Sequence, residues 1–374
     1  MVVRIGVVGL ERGAVLHRAL ALQPECEVVA VCSRRAETAQ RYAGAHGGLR
    51  AYDTYAALVH DQDVDAIVVA SPAPYHAEQS IAALAAGKHV LSEVPAAWTL
   101  EECQHLLAAV EGARGQAVYM FGENANYAAQ TCAWEQLVVR GLLGKIVYAE
   151  SQYIHDLRFM MRDAEGNRTW RADLPPIHYC THELGPLLRL LAASTGGERD
   201  RCVSAIGLHT GRNVAPELGA IDLEVGLFRT ASGAVLKVLC AFSIVREPWG
   251  HMRTVYGTHG CLESGRPEPG ASSGRTLGYF DLLPNLEEMV PLPLAPVRRE
   301  SPPEAAVPGG HGDSEYWMMR DFVRAVRGEA PPAIDIYDAV EYTAPGICAH
   351  LSAEGGGAPV EIPDFRGDQG AAGR

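Results

Sequence analysis

The segment VVRIGVVGLERGAV (residues 2–15) decides how the chain begins to fold. A short run of valine and isoleucine, typical of a strand buried in a parallel sheet, leads through a glycine turn into a helical pattern. The spacing G-x-G-x-x-G/A falls on Gly9, Glu11 and Ala14. Gly9 suits the tight turn, but Glu11 adds bulk and negative charge where a pyrophosphate would approach, although Arg12 is available to a phosphate. The segment predicts a strand–turn–helix unit and leaves dinucleotide binding open.

Strand-like and helical runs then alternate as far as residue 124. The later strand-like runs are CEVVAVCS (26–33), DVDAIVVASP (63–72), HVLSEVP (89–95) and QAVYMFGEN (116–124). The helical run before the last strand begins with Thr99 and Glu102, which have the spacing of a capping box. The alternation predicts an α/β fold with a doubly wound parallel (Rossmann) sheet over residues 1–122.

Strand-like runs predominate after Glu123. They are KIVYAESQYIHDLR (145–158), CVSAIGLHTG (202–211), DLEVGLFRT (222–230), AVLKVLCAFSIV (234–245), HMRTVYGTHGCLE (251–263) and TLGYFDLL (276–283). Consecutive strands favour one large open, mainly antiparallel sheet, so we predict an α+β domain over residues 123–365. Residues 366–374 are predicted to form a flexible tail.

Composition narrows the class of protein. The net charge of −13 argues against nucleic acid or an anionic membrane surface as a partner, because both attract clustered cations. No apolar run reaches the ~18 residues of a membrane helix, and the first residues lack a signal-peptide pattern. The nine cysteines contain no C-x-x-C pair, which indicates reduced thiols. We expect a cytoplasmic protein.

Polar residues follow the predicted parallel strands, where open α/β sheets bind ligands. Ser33, Arg34 and Arg35 follow the second strand, at the place where an NAD enzyme usually has an acid for the ribose. A hydroxyl and two guanidinium groups favour a 2′-phosphate, and thus NADP, although both arginines could equally be solvated. Glu93 and Asn124 follow later strands.

DVDAIVVASPAPYHAEQSIAALAAGKHVLSEVPAAWTLEE (63–102), together with VVRIGVVG before it, resembles the Gfo/Idh/MocA family of oxidoreductases. Most members carry Glu-Lys-Pro where this chain has Glu93, Val94 and Pro95, and their lysine is a catalytic acid/base. The resemblance implies NAD or NADP as cofactor and a second domain that binds substrate and mediates homo-oligomerisation, as a dimer or tetramer. It also implies cofactor contacts from Ser71, Pro72, His76 and Glu93, the last beside the nicotinamide ribose.

A narrower resemblance is to the branch of that family that contains NAD-dependent alpha-N-acetylgalactosaminidases, which also carry valine before this proline. It rests on SEVPAAWTLEEC (92–103), GENANY (122–127), YIHDLR (153–158), TWR (169–171), YCTHELGP (179–186), HGDSEYW (311–317) and AEGGGAPVEIPDF (353–365). This chain departs from the branch at Glu11, at Ser33, where aspartate is usual, and at Cys180, where proline is usual.

Two pairs of residues suit proton transfer to and from a sugar. Tyr179 and His182 are three apart at the start of a predicted helix, and Tyr153 and His155 are two apart on a predicted strand, so each pair shares a face. The resemblance makes Tyr179 and His182 the acid/base pair for an oxidised ring hydroxyl. It makes Tyr153, His155 and Glu123 residues that line the sugar site or assist elimination.

Other candidates have two interpretations. Arg158, Trp170 and Arg171 are predicted substrate contacts, but the arginines could instead pair with Asp156 and Asp173. The histidines and tyrosines could be hydrogen-bonded packing residues. His76 could fix a loop, and His311 could contact substrate or begin a helix. His178 and His182 have a spacing that zinc sites use, but no third ligand joins them, so we predict no metal.

Three functions are compatible with these patterns. The first is an NAD(P)-dependent enzyme that acts on a sugar or glycoside by hydride transfer at a ring hydroxyl carbon, with transient oxidation enabling glycosidic bond cleavage. The second is an NADP-dependent sugar or cyclitol dehydrogenase, which Ser33, Arg34 and Arg35 favour. The third is a Rossmann-fold binding protein without catalysis, supported by Glu11 and Val94.

Overall fold

A computed structural model describes residues 2–266, 274–294, 297, 300–306 and 311–367. These residues group into two compact units. Unit 1 takes its described residues from Met1–Asn124, Pro302–Pro308 and Gly312–Val340, and unit 2 from Ala125–Ser301, Gly309–His311 and Glu341–Arg374.

The strands, in chain order, are β1 (Val3–Val8), β2 (Cys26–Cys32), β3 (Arg50–Tyr52), β4 (Ala66–Val69), β5 (His89–Ser92), β6 (Tyr119–Phe121), β7 (Ile146–Ile154), β8 (Cys202–His209), β9 (Leu223–Thr230), β10 (Val235–Ala241), β11 (Gly250–Gly257), β12 (Gly260–Ser264), β13 (Thr276–Phe280), β14 (Val290–Pro291) and β15 (Val360–Glu361). The α-helices are α1 (Leu10–Leu20), α2 (Ala36–Ala45), α3 (Tyr55–Val59), α4 (His76–Ala85), α5 (Leu100–Gly112), α6 (Ala129–Val139), α7 (Thr181–Ser194), α8 (Ser314–Val326) and α9 (Ile336–Glu354).

The sheet of unit 1 is parallel, with strand order β3-β2-β1-β4-β5-β6 among the described residues. The chain reverses its direction of winding between β1 and β4, which makes that edge the switch point of a doubly wound sheet. The four residues of β4 are fully buried, as expected for a strand covered on both faces. The predicted Rossmann fold is confirmed, although β3 and α3 were missed because they are only three and five residues long.

The predicted capping box of α5 is also confirmed. The Thr99 hydroxyl accepts a hydrogen bond from the Glu102 N–H at 3.1 Å, and the Glu102 carboxylate accepts one from the Thr99 N–H at 3.3 Å. Two N–H groups at the start of the helix, which lack partners within it, are thereby satisfied.

The sheet of unit 2 has the order β14-β13-β12-β11-β7-β10-β9-β8-β15 among the described residues. Its strand pairs are antiparallel except for β7 and β10, which lie parallel at its centre. Helix α7 packs against β7 and buries Leu184, Leu187 and Leu191. The predicted open, mainly antiparallel sheet is therefore confirmed, and the parallel pair is the feature that the strand pattern did not indicate.

Helix α8 groups with unit 1, although the sequence had placed it in the domain over residues 123–365. It packs against α1, and Gln23 Nε2 donates to the Tyr316 carbonyl at 3.1 Å. These contacts join segments far apart in the sequence, so the strand and helix pattern did not reveal them. Of the predicted tail, residues 368–374 lie outside the described residues, and Arg366 Nε bonds Glu341 Oε1 at 2.6 Å.

All nine cysteines are free thiols, and eight of them are buried. Within the described ranges, none of the helices combines the length and the apolar character needed to cross a membrane.

Gly9 provides a test of how closely the first turn packs. Its φ is +86°, and a Cβ there would lie 2.3 Å from the Ala70 carbonyl oxygen. Gly47 has a similar φ of +84°, but a Cβ there would meet no heavy atom within 4 Å, so it is a matched control. We expect Gly47→Ala to cost about 1 kcal/mol of unfolding free energy and Gly9→Ala about 3 kcal/mol or more, measured by urea unfolding. Equal losses would contradict the close approach.

Candidate functional site

The predicted cofactor residues of unit 1 follow different strands of the parallel sheet. Gly9 follows β1, Ser33 follows β2, Ser71 follows β4, Glu93 follows β5 and Asn124 follows β6. Because the carboxyl ends of parallel strands meet at one edge, the structure brings these residues to the same edge of the sheet.

The first turn fits a dinucleotide despite its unusual sequence. Gly9 occupies the N-cap position of α1, so no side chain covers the first N–H groups of this helix, and Glu11 is exposed rather than folded into the turn. Backbone N–H groups at such a turn bind phosphate in Rossmann folds. The middle glycine of the usual pattern is thus not required to keep this turn open.

Arg12 is engaged by two carboxylates. Its Nε lies 2.9 Å from Glu93 Oε1, its Nη1 lies 3.0 Å from Glu315 Oε1, and Asn124 Nδ2 donates to that same oxygen at 3.1 Å. Burial opposes the arginine charge, but the two carboxylates outweigh it and raise the pKa of Arg12. Arg12 therefore positions Glu93 and is not held out towards a phosphate.

The residues after β2 are more accessible. Arg34 and Arg35 are exposed, and the Arg34 guanidinium carbon lies 5.9 Å from the centroid of the Tyr75 ring. The Ser33 hydroxyl accepts a hydrogen bond from the Arg35 N–H at 3.3 Å. This end of the sheet presents positive charge where an adenosine ribose binds in Rossmann folds.

His76 joins two loops. Its Nε2 lies 2.7 Å from the carbonyl oxygen of Ser71, which precedes Pro72 in the loop after β4, and its Nδ1 lies 2.8 Å from the Pro95 carbonyl oxygen after β5. The side chain is buried, and this burial lowers the pKa of His76. Of the two interpretations of His76, fixing the loop is the one that these contacts support.

In unit 2 the chain assembles a group of rings, which we call the ring cluster. Its members are Tyr153, His155, Tyr179, His182, Phe242, Trp249, His251 and His311. The Tyr153 hydroxyl lies 3.2 Å from His155 Nδ1, and the Tyr153 ring meets the His182 ring edge-on at 5.6 Å. Tyr179 meets His182 edge-on at 5.8 Å. The two predicted pairs are thus brought together.

The ring cluster is only partly buried. Tyr153 is buried, whereas His155, Tyr179 and His182 are half-buried and so can meet a small molecule. Burial, followed by the neighbouring His251 and Arg171, lowers the pKa of His155 to about 4. Burial also raises the pKa of Tyr153, so its hydroxyl keeps its proton at neutral pH. At pH 7 the His155 ring is therefore neutral and Tyr153 is a neutral phenol.

Three residues of this region were not predicted from the sequence. The Glu183 carboxylate is fully buried and contacts His251 Nδ1, while Arg253 Nε lies 3.5 Å from its second oxygen. Arg253 Nη2 also donates to the His182 carbonyl at 3.0 Å. Glu183, the acid next to His182, was the one signal in the sequence that could have drawn attention to this region. His251 could not be found in that way, because its position opposite Tyr153 depends on the register between β11 and β7.

The other predicted residues lie as follows. Glu123 is fully buried just beyond β6 in unit 1, whereas the ring cluster belongs to unit 2. Arg158 pairs with Asp156 at 2.6 Å, as one interpretation expected. The Arg171 guanidinium carbon lies 4.6 Å from the Trp170 ring centroid, and Asp173 is paired with Arg168 instead.

His178 and His182 do not converge on a common point. His178 is buried in the 3-10 helix Pro176–Cys180, where its ring meets that of His350 at 5.6 Å. Among the described residues, no group of three or more His, Cys, Asp and Glu side chains is arranged to hold a metal ion. Burial, followed by His350, lowers the pKa of His178 to about 3.

Comparison with known proteins defines first the class and then the family. Residues 3–121 match the Gfo/Idh/MocA family model, described as "Oxidoreductase family, NAD-binding Rossmann fold", and residues 297–370 match "Glycosyl hydrolase 109, C-terminal domain". The chain is an enzyme of the Gfo/Idh/MocA class with an NAD-binding Rossmann fold.

Two relatives define the family of this chain more narrowly. A glycosyl hydrolase family 109 protein of Solibacter usitatus is 30% identical over 325 residues, which are 82% of this chain and 73% of the relative. A protein of Shewanella oneidensis named alpha-N-acetylgalactosaminidase is 26% identical over 332 residues, 83% of this chain and 72% of the relative. The chain belongs to glycosyl hydrolase family 109.

Solved structures share the fold at lower identity. An oxidoreductase domain protein from Kribbella flavida has a TM-score of 0.80 at 22% identity and covers 97% of this chain and 100% of its own. Levoglucosan dehydrogenase, in complex with NADH and levoglucosan, has a TM-score of 0.78 at 19% identity with the same coverage. These similarities support the fold.

The buried His178 predicts acid sensitivity. Its pKa is lowered from 6.5 to about 3, so below pH 6.5 the unfolded chain binds a proton that the folded chain does not. Stability is therefore fully present above pH 6.5 and falls with decreasing pH, by about 1.4 kcal/mol per pH unit from this residue. We expect His178→Leu to flatten the decrease in unfolding free energy between about pH 6 and pH 4, measured by urea unfolding. His60→Leu, at an exposed position, is the control, and equal slopes in the two variants would contradict the assignment.

Proposed function

We propose that this protein is an NAD-dependent enzyme that cleaves a glycoside through transient oxidation of a ring hydroxyl carbon. The observation that carries the proposal is the contact of Tyr179 with His182 inside a partly exposed ring cluster. Val94 strengthens it, because a buried valine stands where a plain dehydrogenase of this class has its acid/base lysine. The name of the Shewanella oneidensis relative agrees with such an activity.

The edge of the parallel sheet would hold the cofactor. The Gly9 turn would receive the pyrophosphate on the backbone of α1, and Glu93, oriented by Arg12, would bind ribose hydroxyls near the nicotinamide. A nicotinamide held there would supply reversible hydride transfer to and from a carbinol carbon.

The ring cluster would move the protons. Tyr179 and His182 would take the proton of the hydroxyl being oxidised, as a general base must. A ketone makes the neighbouring C–H acidic, so the anomeric substituent can leave by elimination and water can then add. Tyr153 and His155, joined at 3.2 Å, would line the sugar site or assist that elimination, with Glu123 in the same role. Such a route does not need the pair of carboxylates that most glycosidases use.

Substrate and cofactor contacts outside the ring cluster follow the same proposal. Arg171 is stacked on Trp170, and its positive charge lowers the pKa of His155. In this proposal Arg171 would contact an oxygen-rich substrate. Arg158, which pairs with Asp156, would be a further contact. Arg34 after β2 favours NADP over NAD and supports a second candidate, an NADP-dependent sugar or cyclitol dehydrogenase.

The oligomeric state and the cellular location are also part of the proposal. Leu208 of β8 and Leu227 of β9 are 61% and 42% exposed, and Ile206 pairs directly across from Leu227. An exposed apolar sheet face of this kind supports a homo-oligomer, a dimer or a tetramer. Nine free thiols support a cytoplasmic location.

The reaction can be tested on the purified protein by mass spectrometry and absorbance. We expect a co-purified dinucleotide, identified by its mass as NAD or NADP, whose redox state is unchanged after many turnovers of a nitrophenyl alpha-N-acetylgalactosaminide. The reason is that the hydride returns in each cycle. Stoichiometric accumulation of reduced cofactor from a free sugar would instead establish the dehydrogenase, and failure to bind any dinucleotide would overturn both.

The proton-transfer pair can be tested by substitution. We expect Tyr179→Phe and His182→Ala each to lower kcat by about 100-fold or more, because each removes an acid/base group. Dinucleotide affinity, measured by calorimetry, should stay within about threefold. Tyr256→Phe removes an exposed tyrosine hydroxyl that bonds Glu263 and is the matched control. A parallel loss of cofactor binding would show that the pair serves the cofactor instead.

A further inference from the structure

A buried carboxylate lies behind the ring cluster. Glu183, on α7, is fully buried, and its two oxygens contact His251 Nδ1 and the Ser151 hydroxyl. Arg253, on β11, is 5% exposed and brings its Nε to 3.5 Å from the carboxylate. An acid and an arginine are thus desolvated together, which is costly unless each satisfies the other.

This arrangement fixes the ionisation of Glu183. Burial opposes its charge, but His251 and the permanently charged Arg253 outweigh burial and hold the pKa of Glu183 below its ordinary value. An ionised carboxylate can only accept hydrogen bonds, so the proton of a neutral His251 lies on Nδ1. Its Nε2 then carries the lone pair, as in other carboxylate–histidine pairs.

The His251 ring lies within the ring cluster. It stacks on Tyr153 with centroids 4.3 Å apart and planes 22° apart, and it meets His182 edge-on at 6.1 Å. Its side chain is 14% exposed, so it is not sealed from a small molecule. The titratable and charged groups around it are Glu183 and His182 from α7, Tyr153 from β7, His155 just after β7, and Arg253 from its own strand.

His251 and His155 differ in their charged neighbours. Three neighbours that carry or can carry positive charge lower the pKa of His155, namely His251, Arg171 and His311. The adjacent Asp156 is paired with Arg158. His251 has a carboxylate bonded to its ring. Burial lowers the pKa of His251, but the bonded Glu183 carboxylate opposes this effect, whereas among the described residues His155 has no carboxylate bonded to its ring.

We propose that His251, oriented by Glu183, is a second proton acceptor of the site, separate from Tyr179 and His182. The inference rests on the proposed function, in which both a hydroxyl proton and a carbon-bound proton leave the sugar. The Nε2 lone pair forms the new N–H bond, and the electron pair of the broken bond stays on the sugar. Glu183 balances the imidazolium, and the proton returns to the sugar when water has added. Glu183 acts through His251 and is a positioning residue.

The test replaces Glu183 by glutamine, which keeps the shape and removes the charge. In Glu183→Gln we expect kcat on the nitrophenyl glycoside to fall by about 100-fold or more while KM stays within about threefold. Histidine 15N NMR of the full chain, assigned with His251→Gln, should show protonated Nδ1 in the unsubstituted protein. The titration midpoint of His251 should move to lower pH in Glu183→Gln, because the carboxylate that favours the imidazolium is lost.

Two further variants separate proton transfer from folding. Glu224→Gln removes another buried carboxylate of unit 2, which lies 2.8 Å from His350 Nδ1, and should leave kcat within about threefold. Glu183→Asp keeps the charge and should recover part of the lost activity. If Glu183→Gln does not fold, His251→Gln should give the same loss of kcat.

The outcomes also separate this inference from the proposed function. A wild-type protein that turns over no glycoside overturns the proposed function, while the tautomer and titration of His251 still decide whether Glu183 orients it. Protonated Nε2 in the wild type, or unchanged kcat in Glu183→Gln, would overturn the inference even if the glycoside is cleaved.

Discussion

In the candidate site of each unit, an arginine lies against a buried acid, and the geometry of the site depends on that pair. In unit 1, Arg12 binds Glu93 and Glu315, so the acid after β5 is held by helix α1. In unit 2, Arg253 binds Glu183 and also the carbonyl of His182. Buried carboxylates without such partners would be neutralised or would unfold the surrounding structure. The two arginines therefore help to set the orientation of residues in the candidate sites.

Val94 bears on where the proton-transfer groups of the proposed site can lie. It is 2% exposed and stands where most members of the Gfo/Idh/MocA class carry a lysine, so unit 1 offers no amine at that position. The proposed acid/base residues lie instead in the ring cluster, to which β7 contributes Tyr153, α7 contributes His182 and β11 contributes His251. In the proposed function, proton transfer would therefore rely on side chains other than residue 94.

The sequence predicted what local patterns control. Alternating apolar runs predicted the parallel sheet, and Thr99 with Glu102 predicted the start of α5, because both depend on neighbours within a few residues. The i, i+2 and i, i+3 spacings likewise anticipated that Tyr153 meets His155 and Tyr179 meets His182. The contacts of Arg12 with Glu315 and of Glu183 with His251 join residues far apart in the chain, and only strand register and helix packing determine them.

The charges in and around the ring cluster are compatible with the proposed redox-neutral cycle. At pH 7, burial holds His155 unprotonated and Tyr153 protonated. Arg253 lies beside Glu183, so this buried acid already has one positive neighbour before any proton is transferred. A proton taken from the sugar creates one positive charge next to a carboxylate already in place. A carboxylate that is in place before the proton arrives is the kind of preorganised charge that would favour the proposed transfer in both directions.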